Sequence, residues 1–139
     1  MYKRLLLAAD GSDNGLRAAD EALKIAALSE GCVIEVIFVD EHANTRVDLP
    51  LPLSKKEQEL AERELIVPVM DKIKAHGVLQ EFKVLFGDPA MALTEYANET
   101  GGDMIIIGRR GLNALQEMIL GSVSQHVVKK ADIPVLVVK

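Results

Sequence analysis

Apolar positions along the chain fall into two alternating patterns. The stretch "RLLLAAD" (4–10) is a continuous apolar run, which predicts a strand covered on both faces, because a strand with one wet face alternates apolar and polar residues. After it, Leu16, Ala19, Leu23 and Ala26 recur every three to four residues, the spacing of one helical face, with Ser12 or Asp13 placed to cap it. Gly31 follows that helix, and "CVIEVIFVD" (32–40) is rich in β-branched residues and reads as a second strand. Residues 41–53, "EHANTRVDLPLPL", contain two prolines and no period. They read as a loop, long for a connector and so expected to border a site.

Ser54 and Glu57 form an S-x-x-E capping box at the head of a second helix that ends near Gly77. Pro68 falls inside it and is expected to kink it, since proline removes a hydrogen bond to the previous turn. In "EFKVLFG" (81–87), Phe82, Val84 and Phe86 alternate with polar residues, which predicts a strand with one wetter face. Asp88 as cap, Pro89 as first helical residue and Gly101 as stop frame a third helix. "DMIIIG" (103–108) is a fourth strand, "SVSQHVVKKA" (122–131) a short helix and "PVLVVK" (134–139) a fifth strand.

Strands alternating with helices predict an α/β fold, a parallel sheet with helices on both faces and right-handed crossovers. Ligands of such sheets bind beyond the carboxyl ends of the strands, where the strand order reverses. Three places are singled out: Ala8 to Asp10, Phe38 to Asp40, and Gly108 onward.

The last of these opens "GRRGLNALQEMILGSVSQ" (108–125). Gly108 closes the fourth strand where backbone must approach a ligand, and Gly111 bends the chain again three residues on. Gly121 and Ser122 open the short helix, whose first amides point outward and unpaired, with a partial positive charge suited to phosphate. Ser122 and Ser124 add hydroxyls, and the arginines between the first two glycines add charge-assisted contacts. Ordinary turn glycines and an N-cap serine are the plainer reading, but the pattern falls at a strand end and a helix start, where a phosphate site belongs. It is neither a Walker loop nor a dinucleotide G-x-G-x-x-G.

The spacing G-x2-G-x9-G-S, as Gly108, Gly111, Gly121 and Ser122, resembles the ATP-binding branch of the universal stress protein family. The likeness extends to "AADGSDNGLRAADEAL" at the start, "GDP" at 87–89 and "GSVSQHVVKKADIPVLVVK" at the end. It implies a single Rossmann-like domain over residues 1–139 with a five-stranded parallel sheet in the order 3-2-1-4-5. It further implies an ATP site in which Asp10 meets the adenosine, Ala8 lies beside it and Val39 walls the adenine. Gly108, Arg109 and Gly111 would wrap ribose and phosphates, with Gly121, Ser122, Val123 and Ser124 on the phosphate tail and Mg or Mn accompanying the ATP. Phe38 stands where many members carry histidine, and Arg110 receives no role. Family members commonly dimerise through the last strand. Here "PVLVV" (134–138) is apolar and uncharged until Lys139, so an antiparallel homodimer centred near Leu136 is expected.

Composition narrows the partners. A formal net charge of −5 argues against a general nucleic-acid binder, and no apolar run approaches the ~18 residues of a membrane span. The lone Cys32 excludes an internal disulfide, and a cytoplasmic protein is expected. His42, His76 and His126 lack metal-ligand spacing, Cys32 reads as a packing residue and "KKEQELAERE" as a solvated helix face. The functional expectation is an ATP-binding regulator or nucleotide-dependent switch in the stress response, acting on an unidentified protein partner. The alternatives are an ATP-hydrolysing or nucleotidyl-transfer enzyme, or an interaction module that uses no nucleotide. Glu117 is the only acid in the phosphate loop, with no other group to activate water, so at most slow hydrolysis is expected.

Overall fold

A computed structural model describes residues 1–10, 13–41, 55–108 and 121–139. The described elements, in chain order, are β1 (Arg4–Ala8), α1 (Asp13–Ala26), β2 (Val33–Asp40), α2 (Lys55–Ala75), β3 (Leu79–Phe86), α3 (Pro89–Thr100), β4 (Met104–Gly108), α4 (Ser122–Lys130) and β5 (Val135–Val138). All strand pairs are parallel, in the order β3-β2-β1-β4-β5. That is the expected Rossmann-like α/β arrangement, with β1 at the centre and the order reversing beside it.

The continuous apolar run of β1 is explained by two cores. Leu5 and Leu7 point into one, with Ala18, Ala19, Ala22, Ile66, Val69 and Ile73 from α1 and α2. Leu6 points into the other, with Leu93, Ala97 and Val127 from α3 and α4. Each successive side chain of the strand meets a helix layer, so none can be polar without a buried partner. Gly102, just before β4, is the tightest point of the second layer: a Cβ there would stand 2.8 Å from Leu6 Cγ. The next residue, Asp103, clamps the start of β1, its carboxylate accepting from the backbone N–H groups of Lys3 (2.6 Å) and Arg4 (2.9 Å). These bonds to the charged form hold its pKa below the usual carboxylate value.

Helix ends follow the sequence grammar wherever they are described. The Asp88 carboxylate accepts from Met91 N–H at 2.9 Å, Pro89 is the first residue of α3, and Gly101 takes the left-handed conformation (φ 66°) at its C-cap. Gly31 and Gly77 likewise adopt positive φ after α1 and α2. Ser12 and Ser54, the two expected helix-capping serines, lie outside the described residues, as do the loop at 42–54 and His42.

Two expectations change. Strand β3 begins at Leu79, two residues earlier than its alternation suggests, because it pairs with the whole length of β2, Val33 opposite Leu79 through Asp40 opposite Phe86. Phe86 is 41% exposed, unlike Phe82, which packs on the first core: it ends an edge strand, beyond the reach of the helices. Helix α2 runs from Lys55 to Ala75 and holds Pro68 in its interior, where the sequence puts it. Pro68 is exposed, and the carbonyl it leaves without a helical donor belongs to Glu64, also exposed, so water can satisfy it.

A charged cluster lies across β1, β2, β3 and α3. Glu35 is 4% exposed, and its carboxylate accepts from the Arg4 guanidinium and from the Tyr96 hydroxyl. Arg4 also pairs with Glu81 at 2.9 Å. Burial, then the bond to Glu35, pushes the Tyr96 phenol up to about 12. The buried carboxylate is thus fully partnered, the condition for placing it inside a sheet.

Candidate functional site

The carboxyl ends of β2, β1 and β4 lie side by side. Ala9 N–H donates to Ile37 O at 2.9 Å, which carries the sheet one residue past Ala8. Leu7 stands opposite Ile106, so Gly108 reaches the level of Ala9. On the other side Ala8 stands opposite Ile37, so Val39 is level with Asp10. Asp10 is exposed at the mouth of this end, whereas Asp40 is buried, its carbonyl accepting from Gly87 N–H at 3.1 Å. Ala8, Val39 and Val123 all pack on the core shared with α3 and α4. Three of the sequence-predicted residues, from three elements, therefore face one side of the sheet.

Helix α4 brings the remaining described candidates to the same end. Its N-cap is Gly121 (φ −62°, ψ 159°), with no side chain to cap the first turn. Gln125 N–H, bonded to Gly121 O at 2.9 Å, is the first intrahelical donor. The amides of Ser122, Val123 and Ser124 precede it and have no acceptor within the helix. The contrast with α3, whose Asp88 carboxylate occupies the equivalent position, is chemically pointed. A carboxylate at Gly121 would fill the place of an anion and repel one. The φ and ψ of Gly121 are open to any residue, so its backbone conformation does not call for glycine.

Ser122 is exposed. Ser124 is 1% exposed, and its hydroxyl donates to Gly108 O at 3.4 Å. That hydroxyl, expected from the sequence beside the phosphate tail, instead ties the start of α4 to the end of β4. Its backbone amide keeps the outward direction. The structure thus brings together Ala8, Asp10, Val39, Gly108, Gly121, Ser122, Val123 and Ser124, while Arg109 and Gly111, with Arg110 and Glu117, lie outside the described residues.

The other candidates behave as plain structure. Cys32 is 4% exposed, and burial pushes its thiol pKa up, away from a reactive thiolate. His76 is exposed, a ring nitrogen 2.8 Å from Lys72 O. Among the described residues no group of three histidine, cysteine, aspartate or glutamate side chains could hold a metal ion, and no helix is long and apolar enough to cross a membrane.

The model of the universal stress protein family matches residues 1–139. A universal stress protein of Methanocaldococcus jannaschii is 33% identical over 145 residues, covering 100% of this chain and 83% of its own. A universal stress protein crystallised in complex with cAMP superposes with a TM-score of 0.73 at 28% identity, over 99% of this chain and 97% of that one. A universal stress protein of Archaeoglobus fulgidus in complex with dAMP gives a TM-score of 0.72 at 25% identity, over 99% and 98% of the two chains.

Proposed function

The chain belongs to the universal stress protein family, and from that premise we propose that it is an ATP-binding switch of the stress response. The observation that carries the reading is the uncapped N-terminus of α4, opened by Gly121 next to the ends of β1 and β4. Three outward amides and the positive end of the helix dipole suit a phosphate chain. In the proposed pose adenosine lies over Ala8, Asp10 and Val39, while Gly108, Arg109 and Gly111 follow the ribose and the first phosphates. The amides of Gly121, Ser122, Val123 and Ser124 take the tail. Relatives in complex with cAMP and dAMP support an adenine nucleotide as the ligand class.

The divalent cation of this proposal, Mg or Mn, arrives on the phosphates and keeps much of its water, as Mg²⁺ usually does. Hydrolysis in this reading is slow, because the phosphate loop carries one acid, Glu117, and no histidine as a general base. Signalling then follows occupancy rather than turnover.

The protein is further proposed to work in the cytoplasm as a homodimer through β5. That strand ends the sheet, pairs only with β4 among the described strands, and is half-buried at all four residues. Pairing with a second copy across a two-fold axis would close an edge that carries no charge between Pro134 and Lys139.

The direct test is to denature freshly purified protein and identify the released small molecules by mass spectrometry. An adenine nucleotide in near-equimolar amount is expected. Release of none, with no heat of binding when ATP is titrated into the protein, would refute the proposal.

A further inference from the structure

The opposite edge of the sheet carries a second anion-seeking surface, away from the ends of β1 and β4. Strand β3 is an edge strand. Gly87 N–H bonds Asp40 O across to β2, and backbone groups alternate sides along a strand. Residues 81, 83 and 85 therefore direct their N–H and C=O groups toward β2, and residues 80, 82, 84 and 86 turn theirs outward. Beside this edge runs an open cleft of about 370 Å³, lined by Lys56, Leu60 and Arg63 of α2 and by Phe82, Lys83 and Val84 of β3.

The lining has a definite chemistry. Among the described residues that line the cleft, three are cationic, three are apolar and none is acidic, on a chain whose net charge is −5. Among the described residues none of the three cations is in an ion pair. Arg63 instead lies over the Phe82 ring at 5.7 Å and Lys83 near the Tyr96 ring at 6.0 Å. Lys56, Leu60 and Arg63 follow at i, i+4 and i+7, one face of the helix. Leu60 is 56% exposed. The span from Lys56 to Arg63 is about 10 Å of helix, the length of roughly three residues of extended chain. Lysine on an edge strand is also a common guard against self-pairing. Such a guard rejects a basic or identical strand and accepts an acidic one.

We propose that this edge binds an extended acidic peptide segment of a partner protein, which adds to the sheet alongside β3. The partner backbone would bond the outward groups of Phe82 and Val84, and an aliphatic or aromatic side chain would cover Leu60 and Phe82. Carboxylates two residues to either side of it, on the same face, would meet Lys56 and Arg63, and one on the opposite face would meet Lys83 beside Tyr96. A strand edge makes backbone hydrogen bonds and reads alternate side chains. A free small anion uses only the charges, which is why the peptide is the better match.

The test is a titration of the full-length ¹⁵N-labelled protein with the capped hexapeptide Glu-Thr-Leu-Glu-Glu-Thr, whose first, third and fifth residues share one face, followed by amide NMR. Saturable shifts concentrated on residues 80–86 and α2 are expected. The Lys-Thr-Leu-Lys-Lys-Thr counterpart should give none, and N-methylation of alternate peptide amides should weaken binding at least tenfold. The charge reversal Lys56→Glu with Arg63→Glu, two exposed positions, should weaken it by a similar factor at an unchanged melting temperature. Should that variant fail to fold, the N-methylated peptide on the wild-type protein decides alone. Shifts scattered over the surface, equal binding of the N-methylated peptide, or equal displacement of the peptide by citrate or by a thymidine hexanucleotide would overturn the proposal. The last two results would mark a general anion site.

Discussion

Replacing Gly121 by valine separates the phosphate site from the fold. The N-cap has φ −62° and ψ 159°, extended backbone that valine adopts without strain. The structural cost is limited to a poorer N-cap, about 1 kcal/mol, or roughly 3–5 °C in melting temperature for a chain of this size. The cost to the ligand is larger. In the proposed pose two methyl groups stand where phosphate oxygens approach the amides of residues 122–124, and at least one amide contact is lost. A hydrogen bond to a charged group contributes about 1.5–3 kcal/mol, so ATP affinity should fall about 10- to 150-fold. The assay is isothermal titration calorimetry on nucleotide-free protein, with adenosine as the control. Adenosine has no phosphate to displace, and its affinity should change by less than about twofold. Unchanged ATP affinity in a folded Gly121→Val protein would refute the phosphate assignment. Equal losses for ATP and adenosine would show that the valine acts on the whole crevice rather than on the tail.

Steady-state ATP hydrolysis by the isolated protein should lie far below the ~10 s⁻¹ of a median enzyme; turnover near that value, abolished by a mutation in residues 108–124, would make the protein an enzyme. Leu136→Lys should shift the protein toward monomers in sedimentation velocity by setting like charges opposite each other, and a wild-type protein that is monomeric at micromolar concentration would remove the dimer. Gly102→Ala should lower the urea midpoint by the equivalent of about 1–3 kcal/mol, because its Cβ would meet Leu6 Cγ and Cδ1 at 2.8 and 2.9 Å in a fully buried position; an unchanged midpoint would mean that Leu6 repacks without cost. Tyr96, pushed up to about 12 in the folded protein, favours the protonated form in the fold, so its contribution is complete below the ordinary phenol value near 10 and is lost as pH rises toward 12. Tyr96→Phe should therefore flatten the alkaline limb of a stability-versus-pH curve, and parallel curves for the two proteins would contradict this.

What the sequence disclosed and what it withheld divide along the range of the interactions. The boundaries of α3 were legible because Asp88, Pro89 and Gly101 each act on their own turn. The two-sided burial of β1 was legible because "RLLLA" leaves no polar position for solvent. The side-by-side placement of the ends of β1, β2 and β4 followed from the alternation of elements, with no side-chain signature needed. The extra length of β3 was hidden, since it depends on pairing with β2 rather than on its own alternation. The cluster of Arg4, Glu35, Glu81 and Tyr96 joins four elements, and no local pattern announces it. The same holds for Gly102, whose need for glycine comes from Leu6 on another strand, and for the Ser124 hydroxyl, which turns to Gly108 rather than to the loop it opens. In "KKEQELAERE" the i, i+4, i+7 stripe of Lys56, Leu60 and Arg63 was visible, but a stripe becomes a cleft only when β3 lies beside it.

An acidic chain that holds a polyanion must separate its own charges from those of the ligand, and the described end of the sheet does so. Its exposed carboxylate, Asp10, belongs to β1 and lies level with Val39 of β2. The helix N-terminus without a side-chain cap belongs to α4, tied to Gly108 at the end of β4. In the proposed pose the neutral adenosine lies over the acid and the phosphates run toward the amides. Reversing the nucleotide would set a phosphate against Asp10 and adenine against unpaired N–H groups. At about 5 Å and an effective dielectric near 20, each like-charge pair costs about 3 kcal/mol. In the proposed reading the direction of the ligand follows from backbone and charge placement before any contact of Arg109 is considered. The same separation explains why a Cβ branch at Gly121 should distinguish ATP from adenosine, whereas a change at Asp10 should affect both.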